Sequence, residues 1–438
     1  MTSYLITGAS LLGAKTADIG ISEGVFVDPK DVAGKRGTTT LDASGLVAFP
    51  GFVDLHTHLR QPGGEQAETI LSGSQAAALG GFTAVHAMAN TTPVADTAAA
   101  TDAVWRWGIE AGYVDVRPVG AVTKNLGGSE LAALSAMAAG HAQVRVFSDD
   151  GKCVHDSGLM REALRQASRH GAVIAQHAQD PQLTQGADMN DGALASSLGL
   201  TGWPTVAEES IIARDVLLAE SVGARLHVCH LSSAGSVEVV AWAKKRGIAV
   251  TAEVTPHHLL LTEELVRGFD PVFKVNPPLR REEDVMALRE GVASGVIDIV
   301  ATDHAPHTPE SKECAFPEAA FGMLGLETAF SVALRALVEP GHLDMAGLAR
   351  VLSVRPAQIG SLEGYEKPFA VGQPAHLALA DVTAAAGTPH GSLSTNNPFE
   401  SWDLPGQILH TFFAGTQTVL AGELVERESL GTNKGRRS

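Results

Sequence analysis

The run Asp54-Leu55-His56-Thr57-His58 has the residue types and the spacing of a metal site. The apolar residues before it predict a strand, and side chains alternate between the two faces of a strand. His56 and His58 therefore share one face, about 7 Å apart along the strand. Two imidazoles at this spacing can converge on one metal ion. Two buried structural histidines are the alternative, and the pair by itself leaves that alternative open.

Four later strand candidates also end in imidazole or carboxylate side chains. They end at Asp149-Asp150, at His177, at His230 and at Asp303-His304. Random placement would scatter such residues over loops and helix surfaces. Together with the first pair, these strand ends supply at least four histidines and two aspartates, which is enough for two zinc ions with a bridging ligand.

Eight strand candidates alternate with helical stretches over residues 51–362. The strands are expected at 52–58, 82–88, 114–122, 144–147, 172–177, 224–230, 249–254 and 297–302. Helices are expected at 67–79, 157–169, 206–221, 236–246 and 282–293. This alternation is typical of an α/β protein of the (β/α)8 TIM-barrel class, whose active sites lie at the carboxyl ends of the strands. An open, doubly wound sheet is the alternative.

The two ends of the chain have a different pattern. Short strand-like stretches separated by glycine and charge occupy residues 1–50. After helices at 324–338 and 345–352, strand-like stretches return at 375–380, 407–413 and 418–420. We predict a small flanking β-sandwich domain built from residues 1–50 and 363–438, and a barrel built from residues 51–362. The polar tail, 431–438, is expected to fray.

The composition limits the classes of partner. The 438 residues carry a formal net charge of −17, which argues against nucleic acid as a partner. An anionic substrate would be repelled at long range, so its site must supply positive charge from metal or arginine. The three cysteines form no CxxC pair, the N-terminus lacks a secretory pattern, and no apolar run could span a membrane. We expect a soluble, cytoplasmic protein that does not bind membranes.

Several longer stretches resemble the dihydroorotase family of cyclic amidohydrolases, within the amidohydrolase superfamily. The stretch Pro-Gly-Phe-Val-Asp-Leu-His-Thr-His-Leu-Arg-Gln-Pro-Gly at 50–63 looks like the signature of that family. Further matching stretches lie at 87–91, 147–151, 275–280, 301–307, 321–323 and 325–328. The resemblance covers nearly the whole chain, and the combination is specific although no single stretch would be.

The resemblance implies two zinc ions per subunit, the second of which some members hold only in part. The six residues that would bind them are His56, His58 and Asp303 at the first position, His177 and His230 at the second, and Asp150 between the two. Many relatives bridge the metals with a carboxylated lysine, whereas the type that this chain resembles uses an aspartate. Asp150 is the predicted bridge, with Asp149 and Lys152 as the alternatives.

The resemblance also implies how the substrate is held. The residues that would contact it are His58, Arg60, Asn90, Asn276, His307, Phe321 and Gly322. The planar guanidinium of Arg60 suits a carboxylate, to which Asn90 and His307 would contribute. Asn276 and the backbone near Phe321 and Gly322 would hold the ring amides. The alternatives are a surface salt bridge for Arg60 and loop capping for the two asparagines.

The implied reaction is the reversible cyclisation of N-carbamoyl-L-aspartate to L-dihydroorotate, a step of pyrimidine biosynthesis, with Asp303 as the catalytic proton carrier. A hydantoinase or allantoinase is the nearest rival, disfavoured by the aspartate bridge and by the Arg60–Asn90 pair. The second rival is an inactive homologue that acts as a scaffold. All six ligands are present, which argues against a scaffold. We also expect a homo-oligomer, with aspartate transcarbamoylase as a candidate partner.

Further expectations concern single positions and one segment. Gln61 stands where the family usually has glutamate, which removes one charge beside the site. His86 and His227 are assigned no ligand role, and Cys229 is expected to point away from its neighbour His230. The long connection 308–320 is a candidate lid, with Gly322 as its hinge.

Overall fold

The structure, a computed structural model, describes residues 3–426 of the chain. Five strands precede the barrel: β1 (Ser3–Leu11), β2 (Lys15–Ser22), β3 (Val25–Val27), β4 (Thr38–Asp42) and β5 (Val47–Pro50). Within residues 3–426 no helix is both long enough and apolar enough to cross a membrane.

Strands and helices then alternate along the chain. The strands are β6 (Phe52–Thr57), β7 (Phe82–Ala87), β8 (Asp115–Pro118), β9 (Val146–Phe147), β10 (Val173–Gln176), β11 (Met189–Asn190), β12 (Gly202–Trp203), β13 (Leu226–Val228), β14 (Val250–Val254) and β15 (Ile299–Val300). The helices between them are α1 (Ile70–Leu79), α2 (Ala98–Ala111), α3 (Leu134–Ala139), α4 (Ser157–Ser168), α5 (Ala193–Leu198), α6 (Val206–Val222), α7 (Ala234–Lys245) and α8 (Glu282–Ser294).

Eight of these strands close into a parallel barrel. One parallel run contains β6, β7 and β8, and a second contains β9, β10, β13, β14 and β15. The bridges Gly120–Phe147 and Thr57–His304 join the two runs at both seams. The ring is therefore closed, which confirms the predicted (β/α)8 class and is incompatible with an open doubly wound sheet.

Four helices follow the last barrel strand, and the last of them packs at the amino end of the barrel. They are α9 (Pro309–Lys312), α10 (Ala329–Ala333), α11 (Met345–Ala349) and α12 (Arg355–Gly360), and π-helical turns at Leu334–Val338 and Arg350–Val354 follow α10 and α11. Ala357 of α12 packs against Val53 and Ala84, near the beginnings of β6 and β7. Apolar packing fills this end of the barrel beneath β6 and β7, and the buried Asp298 just before β15 pairs there with Lys244 and Arg355.

The two chain ends meet in one β-domain. Its later strands are β16 (Leu377–Ala385), β17 (Pro405–Phe413), β18 (Thr416–Leu420) and β19 (Glu423–Leu424). Antiparallel pairing of β16 with β5 joins them to β1–β5 in a nine-stranded sheet. The rings of Tyr4 and Phe412 lie 5.0 Å apart although their strands are three positions apart in the sheet, so the sheet folds over an apolar cluster.

This arrangement confirms the flanking β-domain from both chain ends. The exact domain boundaries, 50/51 and 362/363, stay predictions. The tail at 431–438 lies outside the described residues.

Candidate metal centre

Six buried side chains converge at the carboxyl ends of the barrel strands. They are His56 and His58 at the end of β6, Asp150 after β9, His177 after β10, His230 after β13 and Asp303 after β15. Every one of these residues is at most 5% exposed. The structure therefore brings together all six ligands that the sequence predicts.

The six side chains form two groups that share Asp150. In the first group, Oδ2 of Asp150 lies 3.2 Å from Nε2 of both His56 and His58. Oδ1 of Asp303 lies 3.3 Å and 3.0 Å from the same two nitrogens. In the second group, Oδ1 of Asp150 lies 3.1 Å from Nδ1 of His177 and 3.3 Å from Nε2 of His230. Each oxygen of Asp150 thus faces a different group, which is the geometry of a bridging carboxylate.

These distances suit metal ions. Zinc binds imidazole nitrogen at about 2.0–2.1 Å, so two ligands of one tetrahedral ion lie about 3.4 Å apart. The carboxylate–imidazole separations in both groups, 3.0–3.3 Å, are close to that value. Nε2 of His56 is buried and has no hydrogen-bond partner, and a metal ion would satisfy it. The residues therefore fit a metal in each group.

Hydrogen bonds on the outer side of three of the four rings orient the ligand nitrogens. Nδ1 of His56 lies 2.6 Å from Glu253, and Nδ1 of His58 lies 2.9 Å from Oδ1 of Asn90. Nε2 of His177 lies 2.7 Å from Oε1 of Gln179. A ring that donates on its outer side keeps a lone pair on its inner nitrogen, as metal binding requires.

Glu253 and Gln179 are absent from the sequence prediction. The available signal for Glu253 was a carboxylate inside an otherwise apolar strand; Gln179 lies in a loop and gave no signal.

Asp150 alone, among the three predicted candidates for the bridge, enters the site. Oδ1 of Asp149 accepts the backbone N–H groups of Val122 and Thr123 at 2.8 Å and 2.9 Å. Lys152 is exposed. Asp149 therefore anchors a loop from the neighbouring strand, and Lys152 faces solvent.

The backbone is strained at three residues of the site. Arg60, His230 and Asp303 have φ values of 57°, 31° and 46°, in the left-handed region that residues with a Cβ rarely adopt. Such strain persists only where the surrounding fold enforces it, and it clusters at functional positions.

The imidazoles of the site favour the ionised form of both aspartates. Burial acts to raise the pKa of Asp303, but the neighbouring imidazoles of His56 and His58 lower it to about 2. Burial likewise opposes the ionisation of Asp150, yet His56 first, and then the His177 and His230 rings that lie against its oxygens, hold its pKa well below the usual range. Both aspartates are carboxylates at neutral pH and can act as ligands.

Arg60 lies at the rim of the metal groups and is not part of a surface salt bridge. Its Nε donates to the carbonyl of Pro306 at 3.0 Å, and one terminal nitrogen lies 3.4 Å from Nε2 of His307. Burial lowers the pKa of Arg60 to about 10, so it stays charged at neutral pH. Arg60 therefore places a fixed positive charge at the opening of the site, in a protein whose formal net charge is −17.

Asn276 and Asn90 are not simple loop caps. Nδ2 of Asn276 donates to Gln179 at 3.1 Å, while its Oδ1 is buried and has no hydrogen-bond partner. Asn90 uses Oδ1 to hold His58. Each side chain therefore links to a histidine of the metal groups, and Asn276 keeps an acceptor for a further ligand.

His307 and Gly322 are already engaged in the structure. Burial first, and then the charge of Arg60, lower the pKa of His307 to about 3. The ring is therefore neutral, and its Nε2 donates to the carbonyl of Phe321 at 2.7 Å. Gly322 donates its N–H to the Lys274 carbonyl at 3.0 Å and accepts from Asn396 at 3.2 Å. With φ at 141° and a Cβ position only 2.7 Å from Ala305, residue 322 must be glycine.

Two buried lysines hold the predicted lid. Nζ of Lys312 donates to the carbonyls of Pro271 and Lys274 at 2.9 Å and 3.0 Å. Nζ of Lys274 donates to the carbonyls of Phe316 and Pro317 at 2.9 Å and 2.8 Å. The segment 308–320 is thus fastened to the loop that carries Pro271 and Lys274, and its action as a lid stays a prediction.

The remaining single-residue expectations have structural outcomes. Oε1 of Gln61 accepts the N–H of Ile70 at 3.0 Å, so it caps α1 and does not contact the metal groups. His86 is buried and bonds to the carbonyl of Asp54. His227 contacts Glu253, and Cys229 lies near His56 and Glu253. Both residues therefore lie beside Glu253, within the barrel beneath the metal groups.

Comparison with known proteins gives the family. The family described as Dihydro-orotase-like matches residues 45–236. A Streptomyces coelicolor protein named dihydroorotase is 56% identical over 97% of this chain and 100% of its own length. A Leifsonia xyli protein of the same name is 57% identical over 99% of both chains. The chain belongs to the dihydroorotase family. The predicted family is therefore confirmed.

A solved structure of a hydantoinase has a similar fold. The solved structure titled L-hydantoinase (dihydropyrimidinase) from Arthrobacter aurescens superposes with a TM-score of 0.85, at 26% identity, over 97% of this chain and 98% of that one. Dihydroorotase relatives are thus about twice as similar in sequence as this hydantoinase.

Proposed function

We propose that this chain catalyses the reversible cyclisation of N-carbamoyl-L-aspartate to L-dihydroorotate and binds two zinc ions per subunit. The observation that carries the proposal is the position of Asp150, whose two oxygens face separate ligand groups. Arg60 at the mouth of the same site supports a substrate that carries a carboxylate. The family of the chain supports the specific reaction.

The metal ions, when bound, supply an electrophile for the ring carbonyl and a water molecule acidic enough to attack at neutral pH. Asp303 is the proton carrier. Its Oδ1 lies 3.3 Å and 3.0 Å from Nε2 of His56 and His58, and its backbone is held in the left-handed region. It accepts the proton of the attacking water and delivers it to the ring nitrogen that leaves. Ring closure uses the same path in reverse.

The chain holds the substrate through its carboxylate and its ring amides. The terminal nitrogens of Arg60 bind the carboxylate, and its Nε bond to Pro306 fixes the plane of the guanidinium. Nδ2 of Asn90 donates to the same carboxylate. The unpaired Oδ1 of Asn276 accepts a ring N–H, and the backbone of Phe321 and Gly322 borders the ring. His307 contributes to the carboxylate only after releasing the carbonyl of Phe321.

Turnover of dihydroorotate, measured beside hydantoin and allantoin, tests this proposal. We expect ring opening of dihydroorotate and closure of carbamoyl aspartate, with the other two substrates far slower. Turnover of hydantoin or allantoin alone would assign the chain to the rival class, which the superposition on L-hydantoinase makes the second candidate.

A protein with no metal and no activity would instead be a scaffold.

We further propose a cytoplasmic homo-oligomer that does not bind membranes or nucleic acid, and aspartate transcarbamoylase as its candidate partner. Sedimentation of the chain alone and with that partner tests both associations.

A further inference from the structure

We propose that Glu253 is a positioning residue for the first metal position, where it fixes the ring of His56 with Nε2 towards the metal. This inference rests on the metal centre proposed above. Glu253 lies in β14, and only 1% of its surface is exposed. Oε1 lies 2.6 Å from Nδ1 of His56 and 3.2 Å from the backbone nitrogen of His230, and Oε2 lies 3.0 Å from Nε2 of His227.

The contact with Glu253 selects the tautomer of His56. A carboxylate only accepts hydrogen bonds, so Nδ1 of His56 carries the hydrogen and Nε2 keeps its lone pair. Nε2 is the atom that lies near Asp150 and Asp303, and it is the buried nitrogen without a hydrogen-bond partner. Glu253 therefore prepares His56 as a ligand and, as an anion behind the ring, makes the imidazole a stronger donor to a cation.

His56, Cys229 and Glu253 also lie close enough together to suggest a separate cation site. The 2.6 Å contact between Nδ1 of His56 and Oε1 of Glu253 argues against an ion there. Two ligands of one zinc ion lie about 3.4 Å apart, so an ion would have to force these atoms apart and break the hydrogen bond. The contact is therefore a hydrogen bond that supports the metal centre, not a third site.

His227 supports the carboxylate from the other side. Its Nε2 donates to Oε2 of Glu253, and its Nδ1 lies 2.9 Å from the hydroxyl of Thr251. The surrounding barrel interior is apolar, so a carboxylate here is costly unless its oxygens are paired. The chain from Thr251 through His227 and Glu253 to His56 holds the ring in one orientation.

Zinc affinity of Glu253→Gln tests the inference. The neutral amide keeps the size of the side chain but removes the charge and one acceptor. Metal-free protein is titrated with zinc against a chromophoric chelator, and its thermal unfolding is recorded without metal. We expect one of the two zinc equivalents to bind about 10- to 100-fold more weakly, and the other to keep its affinity.

Glu208→Gln is the matched control. Glu208 is a similarly buried carboxylate that accepts the N–H of Ser232 at 3.0 Å and belongs to none of the metal groups. It should leave both zinc affinities unchanged. If Glu253→Gln does not fold, His227→Gln replaces it, because Glu253 then keeps its contact with His56 but loses its support. That variant should show a smaller loss at the same equivalent.

Three results would overturn the inference: unchanged zinc binding by the variant, an equal loss at both equivalents, or an equal loss in Glu208→Gln. Wild-type protein that binds no zinc would instead refute the proposed metal centre itself.

Discussion

Replacing Arg60 by lysine should weaken recognition of the substrate carboxylate while leaving the metal centre intact. Lysine keeps the positive charge, but it loses the planar pair of donors and the bond from Nε to the Pro306 carbonyl, 3.0 Å long, that orients them. A hydrogen bond to a charged group contributes about 1.5–3 kcal/mol, and 1.4 kcal/mol corresponds to a factor of ten. Loss of one such bond should therefore lower kcat/KM for dihydroorotate roughly 10- to 150-fold.

Steady-state ring opening of dihydroorotate, followed with zinc content, measures this effect. We expect most of the loss in KM and unchanged zinc content, because Arg60 is not a metal ligand. Arg117→Lys is the matched control, since Arg117 pairs with Asp115 at 2.8 Å outside the site and should leave KM unchanged. An Arg60→Lys enzyme with normal KM, or one that loses zinc, would refute the assignment of Arg60 to the substrate carboxylate.

Two further predictions concern the proton carrier and the fastened segment. Asp303→Asn should abolish turnover, because an amide cannot accept the proton, while circular dichroism stays that of the wild type; a near-normal rate would remove Asp303 from the mechanism. Lys312→Met should change how stability depends on pH. Burial and the charge of Lys274 lower the pKa of Lys312 to about 7 in the folded protein, so the unfolded chain binds more protons than the folded one between about pH 7 and 10.5. The stability of the wild type relative to Lys312→Met should therefore rise with pH across that window and stay flat below it. Urea unfolding at pH 6, 8 and 10 measures the difference, and a difference that is constant or falls with pH would contradict a buried, destabilised ammonium.

The sequence predicted the barrel and the metal ligands because both depend on local pattern. Alternation places His56 and His58 on one face, and the ends of parallel strands meet at one end of a barrel. The choice between Asp149 and Asp150 needed the resemblance, because β9 is only two residues long and alternation does not continue beyond it.

The supporting contacts of the ligands could not be predicted in the same way. Glu253 reaches His56 across the barrel interior, from a strand separated from β6 by β15. That contact depends on how two strands that are not neighbours are staggered in the barrel. The residue pattern along one strand carries no information about this stagger. Gln61 illustrates the opposite error, since its position in the family stretch suggested the site, whereas its side chain caps α1.

Metal content of the purified protein tests the central claim most directly. Elemental analysis of the wild type should give two zinc ions per chain, and Asp150→Asn should hold fewer, because the amide oxygen alone cannot face both groups as a carboxylate does. Asp149→Asn should keep both ions, because Asp149 accepts the backbone N–H groups of Val122 and Thr123 and the hydroxyl of Thr123, outside the metal groups. Two zinc ions retained in Asp150→Asn, or a fully active wild type with none, would contradict a centre bridged by Asp150.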